Sequence, residues 1–251
     1  MSAPVSLSPK AFCEWGLAGI EMLRDRVSVL VIVDVLSFTT AVDVAVSRGA
    51  AIIPFPLGDR AAAGLAAERA GARLALPRRV AVEQGGFSLS PGSLAAIEAG
   101  TRLLLPSPNG SRLSLAGGPV PVLAGCLRNA TAVAVAARRI AGDGAVGVIP
   151  AGEHWPDGSL RPGIEDLIGA GAILHALGLS FSAEAQAFSP EARVARDAFL
   201  SAAADLPGLI GGCLSGQELI GWGFAQDVDV AVALDVSVTA PLLRDGIYRH
   251  A

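Results

Sequence analysis

Asp34 is the first residue whose position suggests chemistry. It closes the apolar run VSVLVIV, residues 27–33, whose β-branched content suits a buried strand. A carboxylate directly after such a strand stands where α/β sheets open toward ligands. Ser37, Thr39 and Thr40 follow, and each can cap a helix that ends at Gly49. The free N–H groups of that helix start favour an anion, and the carboxylate beside them can hold a cation. Capping alone is the competing reading, since βα turns often use Asp for it.

Three further stretches carry polar groups. AGEHWPDGSLRPGIED, residues 151–166, holds Glu153, His154, Asp157, Arg161, Glu165 and Asp166. Glu165 and Asp166 follow Pro162 at a helix start, where they either complement the dipole or ligate a divalent cation through hard oxygens. His154 has no second histidine at ligand spacing, which argues against zinc. AVEQGGFSLSPGSL, residues 81–94, reads as an irregular segment carrying Glu83 beside two glycines, either a ligand loop or a plain connection. Asn109-Gly110, in PSPNGSR, either offers N–H groups to a phosphate or turns a hairpin. Cys126 precedes Arg128 as in cysteine phosphatases. That phosphate loop, however, needs an arginine where Ala132 stands, so Cys126 reads as a small buried side chain.

The elements that must position these residues alternate. Strands are expected at 51–56, 73–76, 102–105, 120–124 and 145–150, with helices at 59–70 and 131–140. A helix through Leu167 and Leu174, a second over 184–204, and a short one over 215–222 follow. Ser215 and Glu218 have the spacing of a capping box there. Asp227, Asp229 and Asp235 read as surface or capping acids. The expectation is a layered α/β/α fold with a parallel or mixed sheet over 1–251 as one unit, with a C-terminal part that can form a second lobe.

Composition narrows the function. Hydrophobic residues make up 52% of 251 and charged residues 17%, so a large core and buried subunit contacts are expected, and with them a homo-oligomer. A net charge of −4 without a basic run excludes an ordinary nucleic-acid binder. No apolar run approaches the roughly 20 residues of a membrane span. Cys13, Cys126 and Cys213 are far apart, as for reduced thiols, and MSAPVSLSPK lacks signal-peptide character, so the cytoplasm is expected.

Taken together, the segments resemble the 2-phosphosulfolactate phosphatase (ComB) family across nearly the whole chain. VIVDVLSFTTAVDVAVSRGAAIIPF is similar to its opening strand with Asp-Val-Leu and paired threonines. EQGGF resembles its Glu-Arg-Gly-Gly segment and SPNGSR its Thr-Asn-Gly-Thr segment. GCLRNATAVA, GIEDLIGAGAIL and the stretch from Ser215 to Leu243 resemble later elements. Gln84 replaces a family arginine, Ser111 a threonine and Cys126 a serine, and SLSPGSL stands where the family has Asp-Leu-Gly-Asn-Ser-Pro. The resemblance implies a Mg2+-dependent hydrolysis of 2-phosphosulfolactate, or a related phosphorylated hydroxy acid, to sulfolactate and phosphate, as in coenzyme M synthesis. Chemistry and motif position nominate Asp34, Glu165 and Asp166 for the metal and Asp34 and Glu83 for catalysis. They nominate Thr39, Thr40, Asn109, Gly110 and Arg128 for the anion. Two alternatives stand beside this. A haloacid-dehalogenase-like phosphatase would use Asp34 as nucleophile, but it wants an acid where Leu36 stands. A non-catalytic relative would bind a small anionic metabolite, consistent with the lost arginine.

Overall fold

The computed structural model describes residues 9–181 and 187–251. The elements run β1 (Ala11–Cys13), α1 (Gly16–Leu23), β2 (Val29–Val33), α2 (Phe38–Ser47), β3 (Ala51–Pro56), α3 (Arg60–Arg69) and β4 (Arg73–Leu74). Next come α4 (Arg78–Gln84), α5 (Pro91–Leu94), β5 (Arg102–Ser107), α6 (Gly110–Ala116), β6 (Val122–Gly125), α7 (Ala130–Ala141) and β7 (Val146–Pro150). A ribbon of β8 (Glu153–His154) and β9 (Leu160–Arg161) precedes α8 (Ile164–Gly178) and α9 (Pro190–Ala202). The described chain then runs through α10 (Leu206–Gly212), α11 (Leu214–Gly221), α12 (Ala225–Ala231), β10 (Pro241–Arg244) and β11 (Ile247–His250).

One mixed sheet carries the fold, in the order β1-β7-β2-β6-β10-β11-β3-β5-β4. β1, β7, β2 and β6 form one parallel group, and β3, β5 and β4 another. The β10–β11 hairpin joins them, pairing antiparallel to β6 through Leu242 and Leu123 and to β3 through Tyr248 and Ile52. The two parallel groups therefore run in opposite directions.

β2 is buried along its whole length, as an apolar strand covered on both faces must be. Val29, Val31 and Val33 share a core with Val133, Ile173 and Phe199 from α7, α8 and α9. Leu30 and Ile32 face the other way, toward Phe38, Val42, Leu103, Leu105 and Tyr248. Helices thus cover both faces, and the layered α/β/α expectation holds.

Four local readings need correction. Asp245-Gly246, with φ of 50° and 75°, turns the β10–β11 hairpin, whereas Asn109-Gly110 opens α6 instead of a hairpin. Residues 81–94 are not irregular throughout, because α4 and α5 occupy both ends. α11 is capped by Cys213, whose Sγ accepts from Gly216 N–H, rather than by Ser215. The helix expected over 184–204 begins at Pro190, with Ser189 as its cap, and residues 184–186 lie outside the described residues. Among the described residues, no single helix is long and apolar enough to cross a membrane.

The hairpin should matter to both halves. Tyr248 is fully buried, donates to Ser114 Oγ at 2.8 Å and sets its ring against Phe38. Tyr248→Phe is expected to cost about 1 kcal/mol through the lost hydrogen bond. Tyr248→Ala should cost about 3–5 kcal/mol through the cavity. Chemical denaturation measures both, and equal small losses would contradict the seam role.

Candidate functional site

Asp34 follows β2 directly and is buried. Its Oδ1 accepts from Phe38 N–H at 3.1 Å, at the start of α2. Its Oδ2 accepts from Gly110 N–H at 2.8 Å, at the start of α6. Asp34 therefore caps α2 as the plainer reading expected, and it also ties down a second helix from the other half of the sheet. Gly110 allows this approach because a Cβ there would sit 2.2 Å from Phe38 Cδ1.

The hydroxyls around Asp34 lock the turn. Thr39 Oγ1 donates to the Asp34 carbonyl at 2.8 Å and accepts from its N–H at 3.0 Å. Thr40 Oγ1 donates to the Val35 carbonyl at 2.8 Å. Both threonines are fully buried, so their hydroxyls face backbone.

The acidic helix start of α8 converges on the same place. Asp166 accepts from Val35 N–H at 2.7 Å and Gly152 N–H at 2.8 Å, joining the ends of the neighbouring strands β2 and β7. Glu165 is buried and accepts from Cys213 Sγ–H at 3.3 Å. Glu153, just past β7, accepts from Asn109 Nδ2 at 2.8 Å. Asn109 is itself buried, and its Oδ1 has no hydrogen-bond partner.

These acids disturb one another. Burial, then the charge of Glu153, raises Asp34 to a pKa of about 7, against the backbone N–H bonds that lower it. Burial and the charges of Glu165 and Asp34 hold Asp166 well above the usual carboxylate range. Burial raises Glu153, with the Asn109 bond and Arg161 opposing and Glu165 adding. Among the described residues, no three such groups converge as a preformed cation cage. A hydrated ion held by one or two carboxylates needs none, and the orphaned Asn109 Oδ1 adds a hard oxygen beside Glu153. The donor set therefore fits Mg2+.

Glu153 opens into a cleft of about 630 Å³. Leu36, Leu57, Leu76, Leu89, Leu219 and Trp222 line it, with Arg60 and Arg78 as its cations. A smaller cavity of about 240 Å³ includes Asn109, Arg112 and His154, and Pro108 borders both.

The structure thus brings together Asp34, Asn109, Gly110, Glu165 and Asp166 from the sequence reading. It does not bring in Glu83, which is exposed on α4 away from the cleft lining. Arg128 is also elsewhere, pairing with fully buried Asp43 at 2.9 Å. Sequence reasoning passed over Glu153 and Arg78. It also misplaced Asp227, which is buried and paired with Arg78 at 3.3 Å instead of lying at the surface. Asp235 does cap, accepting from the N–H and hydroxyl of Thr131. For Glu153 the available signal was a carboxylate just past a strand end, as at Asp34.

Residues 20–246 match the family described as 2-phosphosulpholactate phosphatase. The chain belongs to that family. The 2-phosphosulfolactate phosphatase of Methanothermobacter thermautotrophicus is 32% identical over 175 residues, covering 66% of this chain and 69% of that protein. This family member is accordingly a phosphatase, a hydrolase of phosphate esters.

The acid cluster predicts a pH dependence. A carboxyl with a raised folded-state pKa holds its proton more tightly when folded. It therefore stabilises the fold at low pH and loses that contribution as pH rises. In chelator, the melting temperature of this phosphatase should fall as pH climbs from about 4 through 7, the window set by Asp34. Millimolar Mg2+ should then raise the melting temperature more at pH 8 than at pH 5. Thermal melts across pH test this, and a Mg2+ effect independent of pH would count against the cluster.

Proposed function

We propose that this chain hydrolyses 2-phosphosulfolactate, or a closely related phosphorylated hydroxy acid, to the hydroxy acid and phosphate with Mg2+ at Glu153 and Glu165, beside the Asp34 carboxylate. The carrying observation is the convergence of these acids and the orphaned Asn109 Oδ1 beside a cleft, in a chain of this family. The name of the Methanothermobacter relative supports the substrate. Bound there, Mg2+ would neutralise phosphoryl charge and bring hydrating water to the ester.

The chain's own groups do the rest. The N–H groups of Phe38 and Gly110 fix the Asp34 carboxylate between two helix starts. Asn109 Nδ2 aims Glu153. Asp166, with both oxygens on backbone, serves as a clamp between strand ends rather than as a free ligand. The apolar cleft walls would keep bulk water, beyond the one that reacts, from the ester.

Two substitutions test this reading. Asn at position 34 offers one acceptor and one NH2 to two N–H donors, so Asp34→Asn should cost about 1–3 kcal/mol of stability. Its turnover should fall by about two orders of magnitude or more. Glu153→Gln retains an acceptor for Asn109, so its stability should hold while half-saturating Mg2+ rises. Phosphate release against Mg2+ concentration, beside thermal melts, gives both answers. Full activity of Glu153→Gln in chelator would sink the metal reading.

We read the protein as a cytoplasmic homo-oligomer, which its low charge fraction and the exposure of Leu179 and Val238 support. A monomer mass by light scattering at micromolar concentration would refute the assembly.

A further inference from the structure

Gln84 stands where the resembled family carries an arginine, yet the structure puts Gln84 at the exposed end of α4, outside the cleft lining. Arg78, at the other end of the same helix, lines the cleft. Its guanidinium is held along one edge. Nε donates to Asp227 Oδ2 at 3.3 Å, and Nη2 donates to Ser37 Oγ at 2.7 Å and to the Leu89 carbonyl at 3.5 Å. Nη1 makes no hydrogen bond among the described residues, and it is not among the buried polar atoms without a partner. Its two N–H donors are therefore the uncommitted ones of a guanidinium that lies over the Phe224 ring, on a residue that lines the cleft.

The mount is itself buried. Asp227 is 2% exposed, and its Oδ1 accepts from Ser90 Oγ–H at 2.5 Å and Gly92 N–H at 3.4 Å. Ser37 stands just before α2, in the turn that holds Asp34. The guanidinium is thus fixed to the same turn as the central carboxylate. With Nε and Nη2 taken by the mount, Nη1 is left as a charge-assisted donor whose direction is fixed, and it loses little freedom on binding an oxyanion.

We propose that Arg78 receives the acid group of the substrate that is not transferred, a carboxylate or sulfonate, and that Asp227 is its positioning residue. This rests on the phosphatase reading above. Two observations place the non-transferred acid here rather than the phosphoryl group. Asp227 already balances the charge of Arg78, so Nη1 supplies direction more than net charge. The phosphoryl group needs a cation, and the acids that would hold one are Glu153 and Glu165. Arg60, the other cleft cation, is exposed and has no such mount.

The experiment uses three phosphate esters. 2-Phosphosulfolactate has carboxylate and sulfonate, 2-phospholactate has carboxylate only, and phenyl phosphate has neither. Arg78→Gln, which keeps a donor toward the mount, should raise KM for 2-phosphosulfolactate about 10–100-fold, as for a lost charge-assisted bond. The loss on phenyl phosphate should be at least tenfold smaller. A matching loss on 2-phospholactate assigns the carboxylate, and a loss confined to 2-phosphosulfolactate assigns the sulfonate. Arg78→Lys keeps the charge but cannot make the mounting bonds and still present a fixed donor, so its KM should stay close to that of Arg78→Gln. Asp227→Asn should raise KM several-fold on the same substrates with a smaller change in kcat. An equal loss on phenyl phosphate, or wild-type KM in Arg78→Lys, would overturn the proposal. Calorimetric titration with sulfolactate, the dephosphorylated product, keeps the two readings apart. Wild-type protein that releases no phosphate but binds sulfolactate tenfold tighter than Arg78→Gln would refute the phosphatase reading and support the anchor. No difference in binding would refute the anchor.

Discussion

The fold depends on one buried carboxylate having both of its oxygens satisfied. A charge out of water costs several kcal/mol unless hydrogen bonds replace its hydration. Asp34 meets that demand with Phe38 N–H on one oxygen and Gly110 N–H on the other. Those two donors belong to helices that follow strands from opposite parallel groups. In ladder order β6, β10, β11 and β3 separate β2 from β5, so the sheet must curl for the bonds to form. The burial of Tyr248, Phe38 and Leu105 in one core is the apolar side of the same closure. Gly110 makes it sterically possible, since any side chain there collides with the Phe38 ring.

The same arrangement stores repulsion. The charges of neighbouring acids, Glu165 among them, help to raise the proton affinity of Asp34, Glu153 and Asp166, and Arg161 is the cation that opposes this at Glu153. Backbone N–H groups supply direction to Asp34 and Asp166 but no whole positive charge. The proposed Mg2+ would relieve that repulsion, which is the physical basis of the metal reading. Asp166 shows how the roles divide: two strand ends claim its oxygens, so it fixes the frame, while Glu153 keeps an edge toward the cleft.

The sequence showed the parts that local pattern controls. The run before Asp34, the alternation of strands and helices, the acidic start of α8 and the Asp235 cap were all readable, because each is a matter of period or of capping chemistry. Asn109-Gly110 was singled out for its turn chemistry, and its N–H does meet a carboxylate, though that of Asp34 rather than of a ligand. The Asp245-Gly246 hairpin was equally readable and was missed among the apolar residues of the C-terminal stretch. What the sequence hid was pairing over distance. Asn109 and Glu153 lie 44 residues apart and meet only because β5 and β7 end near the same cleft.

The arginines make the point most sharply. Arg128 follows a strand and precedes a helix, the place a phosphate-binding arginine often takes, and its sequence context is the better of the two. Arg78 sits in a stretch with no polar motif. Their fates are set by acids 85 and 149 residues away. Asp43, fully buried and also held by Ser237 Oγ–H at 2.6 Å, pairs with Arg128 Nε away from the cleft. Asp227 likewise pairs with Nε of Arg78, but on a residue that lines the cleft. Both are ion pairs of Nε with a buried aspartate, and each arginine keeps one terminal nitrogen without a hydrogen bond among the described residues. What separates a structural arginine from one that can meet a ligand is the place of the pair relative to the cleft. That distinction has no signature in residue type or spacing, since it depends on where the fold carries a distant acid.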